Sequence, residues 1–311
     1  MIERFIRMNK KKNPRVLAEV IGGLGNQLFI YAAGAYLAKK SGAELVLDIS
    51  KIGVGAKDHG KTILNFQLDC EINDYPSVIT KRFRFIRRVS NKLASLSGRY
   101  RKLRDRLERR YTANSLGYES EFANLRQARK ISGYFQSYVY TDFVINDLKE
   151  TLILKSPSDW FKRQETLIKE EDPIVLHMRR GDYLAAKDDF GVLGVKYYEA
   201  GVAILSVDDQ HRNLWIFTDS PELIRDEIAT SKLFNATVII PPKGSNSNES
   251  MILMSRASDI VIGNSTYSWW AAYLASEKTN VIAPGKWFRA LEDPALLLPE
   301  HWVKISSQWI D

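Results

Sequence analysis

Three observations predict an α/β protein with parallel sheets. After Pro173, short apolar runs alternate with stretches of helix length. A strand–helix–strand unit stands near the N-terminus, and polar or glycine-rich motifs fall where the expected strands end. Strands separated by helices of that length run parallel and are covered on both faces. Two such blocks flank a less regular middle, which predicts two facing Rossmann-like domains, residues 1–155 and 156–311. In such sheets ligands lie beyond the carboxyl ends of the strands.

The elements follow in order. "RVLAEVIGG" reads as a buried strand, "GNQLFIYAAGAYLAKKSG" as a helix ending at Gly42, and "AELVLDIS" as a second strand. A polar, less regular region runs from Asn65 to Pro76, and a basic segment follows. "TDFVINDLKETLILK" has mixed character, whereas "SPSDWFKRQETLIKEED" is a helix with Ser or Asp near its cap. Strand PIVLHMR then leads to helix VKYYEAGVAILSVDD, and strand NLWIFTD to helix PELIRDEIATS. Strand ATVII leads to helix NESMILMSRAS and strand DIVIGN to helix STYSWWAAYLAS, with TNVIAP closing the series.

Composition narrows the function. A chain of 311 residues suits one large or two medium domains. The lone cysteine, Cys70, rules out an intrachain disulfide and fits a reducing compartment. No apolar run approaches the roughly 18 residues of a membrane span, and MIERFIRMNKKKNPR lacks the order of a signal peptide. The expected location is cytoplasmic, at most peripheral to the inner face of a membrane. The formal charge of +8 is concentrated: Lys and Arg crowd residues 81–110 against only Asp105 and Glu108, more than accounting for the whole excess. A charge so localised is not a nucleic-acid footprint. Within it Ile86, Val89, Leu93, Leu96, Tyr100, Leu103 and Leu107 form an apolar stripe at helical spacing, weakened by Gly98. Such a helix either packs on the body with a solvated basic face or lies on anionic lipid.

The motifs carry the chemistry. "IGGLGNQLF" places Gly23 and Gly25 as in a dinucleotide fingerprint, with Asp48 ending the next strand, but Leu28 stands where that fingerprint needs a third glycine. An NAD-dependent oxidoreductase is therefore one alternative, and a glycine-lined helix N-terminus meeting another ligand is a second. In "HMRRGDY", Arg179 and Arg180 would repel each other unless an anion or a carboxylate lies between them. Arginine binds phosphate through paired, charge-assisted bonds; the plain reading is a solvated strand end with Asp182 neutralising an arginine. "FTDS" offers Thr218, Asp219 and Ser220 to a ligand or to a helix cap. "GNSTYSWW" sets Asn264, Ser265, Thr266 and Ser268 across a first helical turn, which suits phosphate. Glu249 sits near another helix start and reads as capping. His59, His177, His211 and His301 are scattered and no cysteine pair exists, so no metal site is expected. The arginines would balance a diphosphate instead.

Taken together, "GGLGNQLFIYA", "HMRRGDY", "FTDS" and "GNSTYSWWAAYLA", in this order from about Val20 to Pro284, resemble the α1,2-fucosyltransferases of glycosyltransferase family 11. The resemblance implies a GT-B-like fold, GDP-fucose as donor, no metal, and inversion at the fucose C1. The implied acceptors are β-galactosides substituted at the 2-hydroxyl, here perhaps-free of further definition than a lipid-linked O-antigen or capsule unit. It implies that His177, Arg179 and Arg180 form the motif whose arginine stabilises the departing GDP. Ser265, Thr266 and Ser268, with Asn264 beside them, would hold the diphosphate and Asp219 the nucleoside, while Gly25 and Asn26 face the cleft from the other domain. In related core α1,6-fucosyltransferases a glutamate shortly after the motif histidine is the base. Asp188 and Asp189 occupy that stretch here, with Asp182 as a rival. A catalytically silent protein that binds a sugar nucleotide or glycan is the remaining alternative.

Overall fold

The computed structural model describes residues 14–52, 60–75, 109–206 and 212–310. The basic stripe at 81–108, the N-terminal stretch before Pro14, His59 and His211 lie outside the described residues. The chain forms two parallel-sheet α/β domains. In the first, β1 (Arg15–Glu19) is followed by helix α1 (Leu24–Ser41), β2 (Glu44–Asp48), β3 (Glu71–Asn73), β4 (Arg110–Thr112) and β5 (Lys130–Ser132). The five strands are ordered β3-β2-β1-β5-β4, all parallel. Helix α1 ends where glycine permits it, with Gly42 left-handed at φ 61°. It reaches the sheet closely because Gly34 has no side chain: a Cβ there would stand 2.7 Å from Leu45 and 3.1 Å from Ala18.

The second domain opens with helix α2 (Asp159–Glu171) and β6 (Ile174–Met178). Helix α3 (Val195–Leu205), β7 (Leu214–Thr218), α4 (Pro221–Ala229), β8 (Thr237–Val238) and α5 (Ser247–Met254) follow. Then come β9 (Asp259–Val261), α6 (Thr266–Leu274), β10 (Asn280–Pro284) and β11 (Val303–Ile305), giving a parallel sheet ordered β11-β10-β9-β6-β7-β8. Every strand of β6 is buried, and its residues alternate between two cores. Ile174, Leu176 and Met178 pack under α3, while Val175 joins the core shared with the first domain. Strand β8 is shorter than "ATVII" suggested, since Pro241 and Pro242 follow at once and proline cannot donate to a ladder.

Both sheets have a point where strand order reverses. In the first it lies between β1 and β5, and in the second between β6 and β9. Crevices for ligands open at such points, beyond the carboxyl ends. The two helices that start there, α1 and α6, pack on each other, with the Phe29 ring centroid 4.4 Å from Trp269 and 5.2 Å from Trp270. At the seam Gly25 is pressed on Thr266, where a Cβ would come within 2.4 Å of the backbone carbonyl carbon. The two crevices therefore face each other across one junction.

Candidate active site

Strand β6 delivers the arginine motif to the second crevice. His177 is 3% exposed, and its carbonyl accepts from the Tyr198 hydroxyl at 2.9 Å. Burial, with the nearby Arg179 charge, pushes its pKa down to about 3, so the ring is neutral at working pH. Its Nδ1 has no hydrogen-bond partner among the described residues. Arg179 stands just past the strand, with Nη1 3.0 Å from Asp219 and Nη2 bonded to Asp182, while its guanidinium lies 5.5 Å over the Tyr183 ring. Its Nε is likewise buried without a partner among the described residues. Native interiors rarely tolerate such atoms, and here two fall in one motif.

The neighbouring arginine has turned the other way. Arg180 is 2% exposed and grips Glu227 at 2.8 and 2.9 Å through Nη2, with Nη1 on the Arg179 carbonyl at 3.0 Å. The expectation that both arginines face an anion is thus corrected: a buried guanidinium needs its own carboxylate, and Glu227 supplies it. Asp219 also differs from expectation. Its Oδ1 accepts from the Arg180 amide at 2.9 Å and its Oδ2 pairs with Arg179, so it braces the motif rather than reaching for a nucleoside. Gly181 makes this possible, since a Cβ would lie 2.2 Å from that Oδ2.

The start of α6 closes this crevice. Ser265 caps the helix, accepting from the Tyr267 amide at 3.3 Å. Asn264 and Ser268 are turned inward, against expectation. Asn264 donates to the carbonyls of Phe190, Gly191 and Trp287, and Ser268 bonds the carbonyls of Gly263 and Ser265. They shape the loop, leaving half-buried Thr266 and the positive end of the helix toward the seam. Gly263 lets this loop approach β6, since a Cβ would meet the His177 carbonyl at 2.8 Å.

In the first crevice Gln27 staples the glycine loop. It is fully buried, donates to the carbonyls of Gly22 and Gly60 at 2.8 and 2.9 Å, and accepts from the Ile63 amide at 3.0 Å. Asn26 is half-buried beside it and receives a 2.9 Å bond from Gln136. Sequence reasoning missed Gln136 because the strand before it has only three residues. Asp48, the acid of the dinucleotide alternative, is buried and bonded to Ser50, and Leu28 is fully buried. Gly25 serves contact with Thr266, which leaves a dinucleotide no purchase there.

The candidate bases are distributed unevenly. Asp182 is bonded to Arg179. Asp188 and Asp189 are exposed on the short helix Lys187–Phe190, which Phe190 anchors against Tyr183 and Phe288, each with centroids 5.5 Å away. Glu249 does cap a helix, but α2 rather than its own: its carboxylate takes the Ser158 amide at 2.6 Å and hydroxyl at 2.8 Å. Among the described residues, no helix is long and apolar enough to cross a membrane.

Comparison with known proteins extends this geometry. The family model described as Glycosyl transferase family 11 matches residues 16–305. The chain is similar to the O-antigen biosynthesis glycosyltransferase WbnK of Escherichia coli, 28% identical over 304 residues, which cover 91% of this chain and 98% of that one. It is equally similar to an alpha-1,2-colitosyltransferase of Escherichia coli, 28% identical over 315 residues, covering 94% and 99%. Among solved structures, fucosyltransferase NodZ from Bradyrhizobium matches with a TM-score of 0.50 at 14% identity, covering 85% of this chain and 93% of that one. POFUT1 in complex with GDP-fucose matches with a TM-score of 0.50 at 11% identity, covering 88% and 98%. Such identities speak to the fold alone, a GT-B-like pair of α/β domains.

Proposed function

The chain belongs to glycosyl transferase family 11, and we propose that it moves fucose from GDP-fucose to the 2-hydroxyl of a galactose in a glycan, with inversion and without a metal. The observation that carries this reading is Arg179, braced by Asp182 and Asp219 beside the N-terminus of α6. Residues 156–311 hold the donor and residues 1–155 the acceptor. The acceptor hydroxyl attacks C1 opposite the diphosphate, the C1–O bond to phosphate breaks, and GDP leaves with the electron pair. Arg179 and the helix N-terminus offset the charge that develops on the leaving oxygen. Asp188 or Asp189 takes the hydroxyl proton, since Asp182 is committed to Arg179. Neutral His177 contributes hydrogen bonding but no charge.

The relatives' printed names support an acceptor of the O-antigen type and a 1,2 linkage. A lipid-linked acceptor would suit a protein whose basic segment at 81–110 docks on anionic membrane. Co-sedimentation with anionic vesicles tests the docking, and unchanged binding after removal of that segment would refute it. The colitosyltransferase relative favours a second donor, so the assay offers GDP-fucose and GDP-colitose side by side to the full chain with a β-galactoside panel and EDTA. Mass spectrometry should show one added deoxyhexose from GDP-fucose. Transfer from GDP-colitose alone would reassign the donor, and dependence on an added divalent ion would remove metal independence.

A further inference from the structure

The crevice of the first sheet is lined by amides rather than arginines, and what it binds follows from that chemistry once the transferase reading above is granted. The Gln136 Nε2 donates to Asn26 Oδ1 at 2.9 Å, which fixes the Asn26 carboxamide and leaves its Nδ2 on the far side, next to the Gly22 loop. Gly22 is left-handed at φ 77°, and a Cβ on it would stand 2.9 Å from that nitrogen, so the loop bends around the Asn26 amide.

Two features of Gln136 are unfavourable for stability alone. It is 6% exposed, yet its Oε1 has no hydrogen-bond partner among the described residues. The residue before it, Phe135, holds φ 52°, a left-handed conformation that a bulky aromatic residue rarely adopts. A methionine would fill this place without an unpaired oxygen. Strained backbone and unpaired polar atoms held beside a glycine loop at a strand-order reversal are features of binding sites.

The two amides carry no charge at any working pH, so they suit hydroxyls and not phosphates. The diphosphate belongs to the Arg179 crevice, and the Gly25–Thr266 contact sets the amide pair directly across the seam from it. We propose that the Asn26–Gln136 pair is the acceptor-sugar site: Asn26 Nδ2 donates to a ring hydroxyl of the acceptor, and Gln136 is the positioning residue that keeps this donor turned outward.

The test uses the full chain saturated with GDP and titrated with methyl β-galactoside, followed by saturation-transfer NMR, with GDP affinity measured in parallel by calorimetry. Gln136→Met should weaken galactoside binding at least tenfold and leave GDP affinity unchanged. Gln136→Glu presents only acceptors to Asn26, so it should flip that amide and weaken the galactoside at least as much. It carries the same test should Gln136→Met fail to fold. Because Gln136 acts through Asn26, the Asn26→Ala/Gln136→Met double variant should be no weaker than Asn26→Ala alone. Galactoside affinity unchanged by either Gln136 variant, additive losses in the double variant, or equal losses of GDP affinity would overturn the assignment. So would a GDP-saturated wild type that binds no galactoside. A wild type that binds no GDP refutes the donor reading itself, and this assignment falls with it.

Discussion

Arg179 meets Asp219 and Asp182 with its two terminal nitrogens and lies over Tyr183, so its charge is fixed in place before any diphosphate arrives. Preorganised charge of this kind is worth roughly 2.7–4 kcal/mol in the transition state. Arg179→Lys should therefore lower kcat about 100- to 1000-fold in a fucosyl-transfer assay, and a variant with wild-type kcat would contradict the role. His177 gives a stability prediction. Its folded pKa of about 3 lies below the ordinary 6.5, so protonation favours the unfolded chain. Its contribution is whole above pH 6.5 and is lost as pH falls toward 3. Urea midpoints for His177→Gln should decline less between pH 6.5 and 5 than those of the wild type. At this scale the sequence showed which residue types gather, but not which way they turn. Two adjacent arginines look identical in a string, and only the Glu227 carboxylate, distant in sequence, decides that Arg180 faces inward.

Helices α1 and α6 begin at the two strand-order reversals and touch through Gly25 and Thr266. Gly25→Ala would drive a methyl group against backbone rather than a yielding side chain. Overpacking of this kind costs about 1–3 kcal/mol, so the variant should melt several degrees lower and lose transfer activity. An unchanged melting temperature would show that the seam is looser than described. Long elements were legible because their periodicity is: α1 with its Gly42 stop, α2 with Ser158 at its cap, and the five-residue strands β6, β7 and β10. The three-residue strands β3, β4 and β5 were not, since three residues carry no periodic signal and only tertiary pairing makes them strands. Gln136, which follows β5, was lost with them.

One hydrophobic core runs through the molecule, joining Val16 and Phe29 of the first domain to Trp215, Trp269 and Trp302 of the second. The chain near its end crosses back as well: the carbonyls of Ala295 and Leu296 accept from the amides of Tyr118 and Tyr138 at 2.9 and 3.0 Å. Calorimetry should accordingly show a single cooperative transition, and two separated peaks would mean that the domains unfold independently. The two crevices then stay opposed, with arginine chemistry on one side and amide chemistry on the other, as transfer from a charged donor to a neutral sugar requires. NMR of the product made from GDP-fucose and a β-galactoside in EDTA tests this most directly. An α-linked deoxyhexose on the galactose 2-hydroxyl is the predicted result, and a product with retained β configuration, or none without added metal, would contradict it.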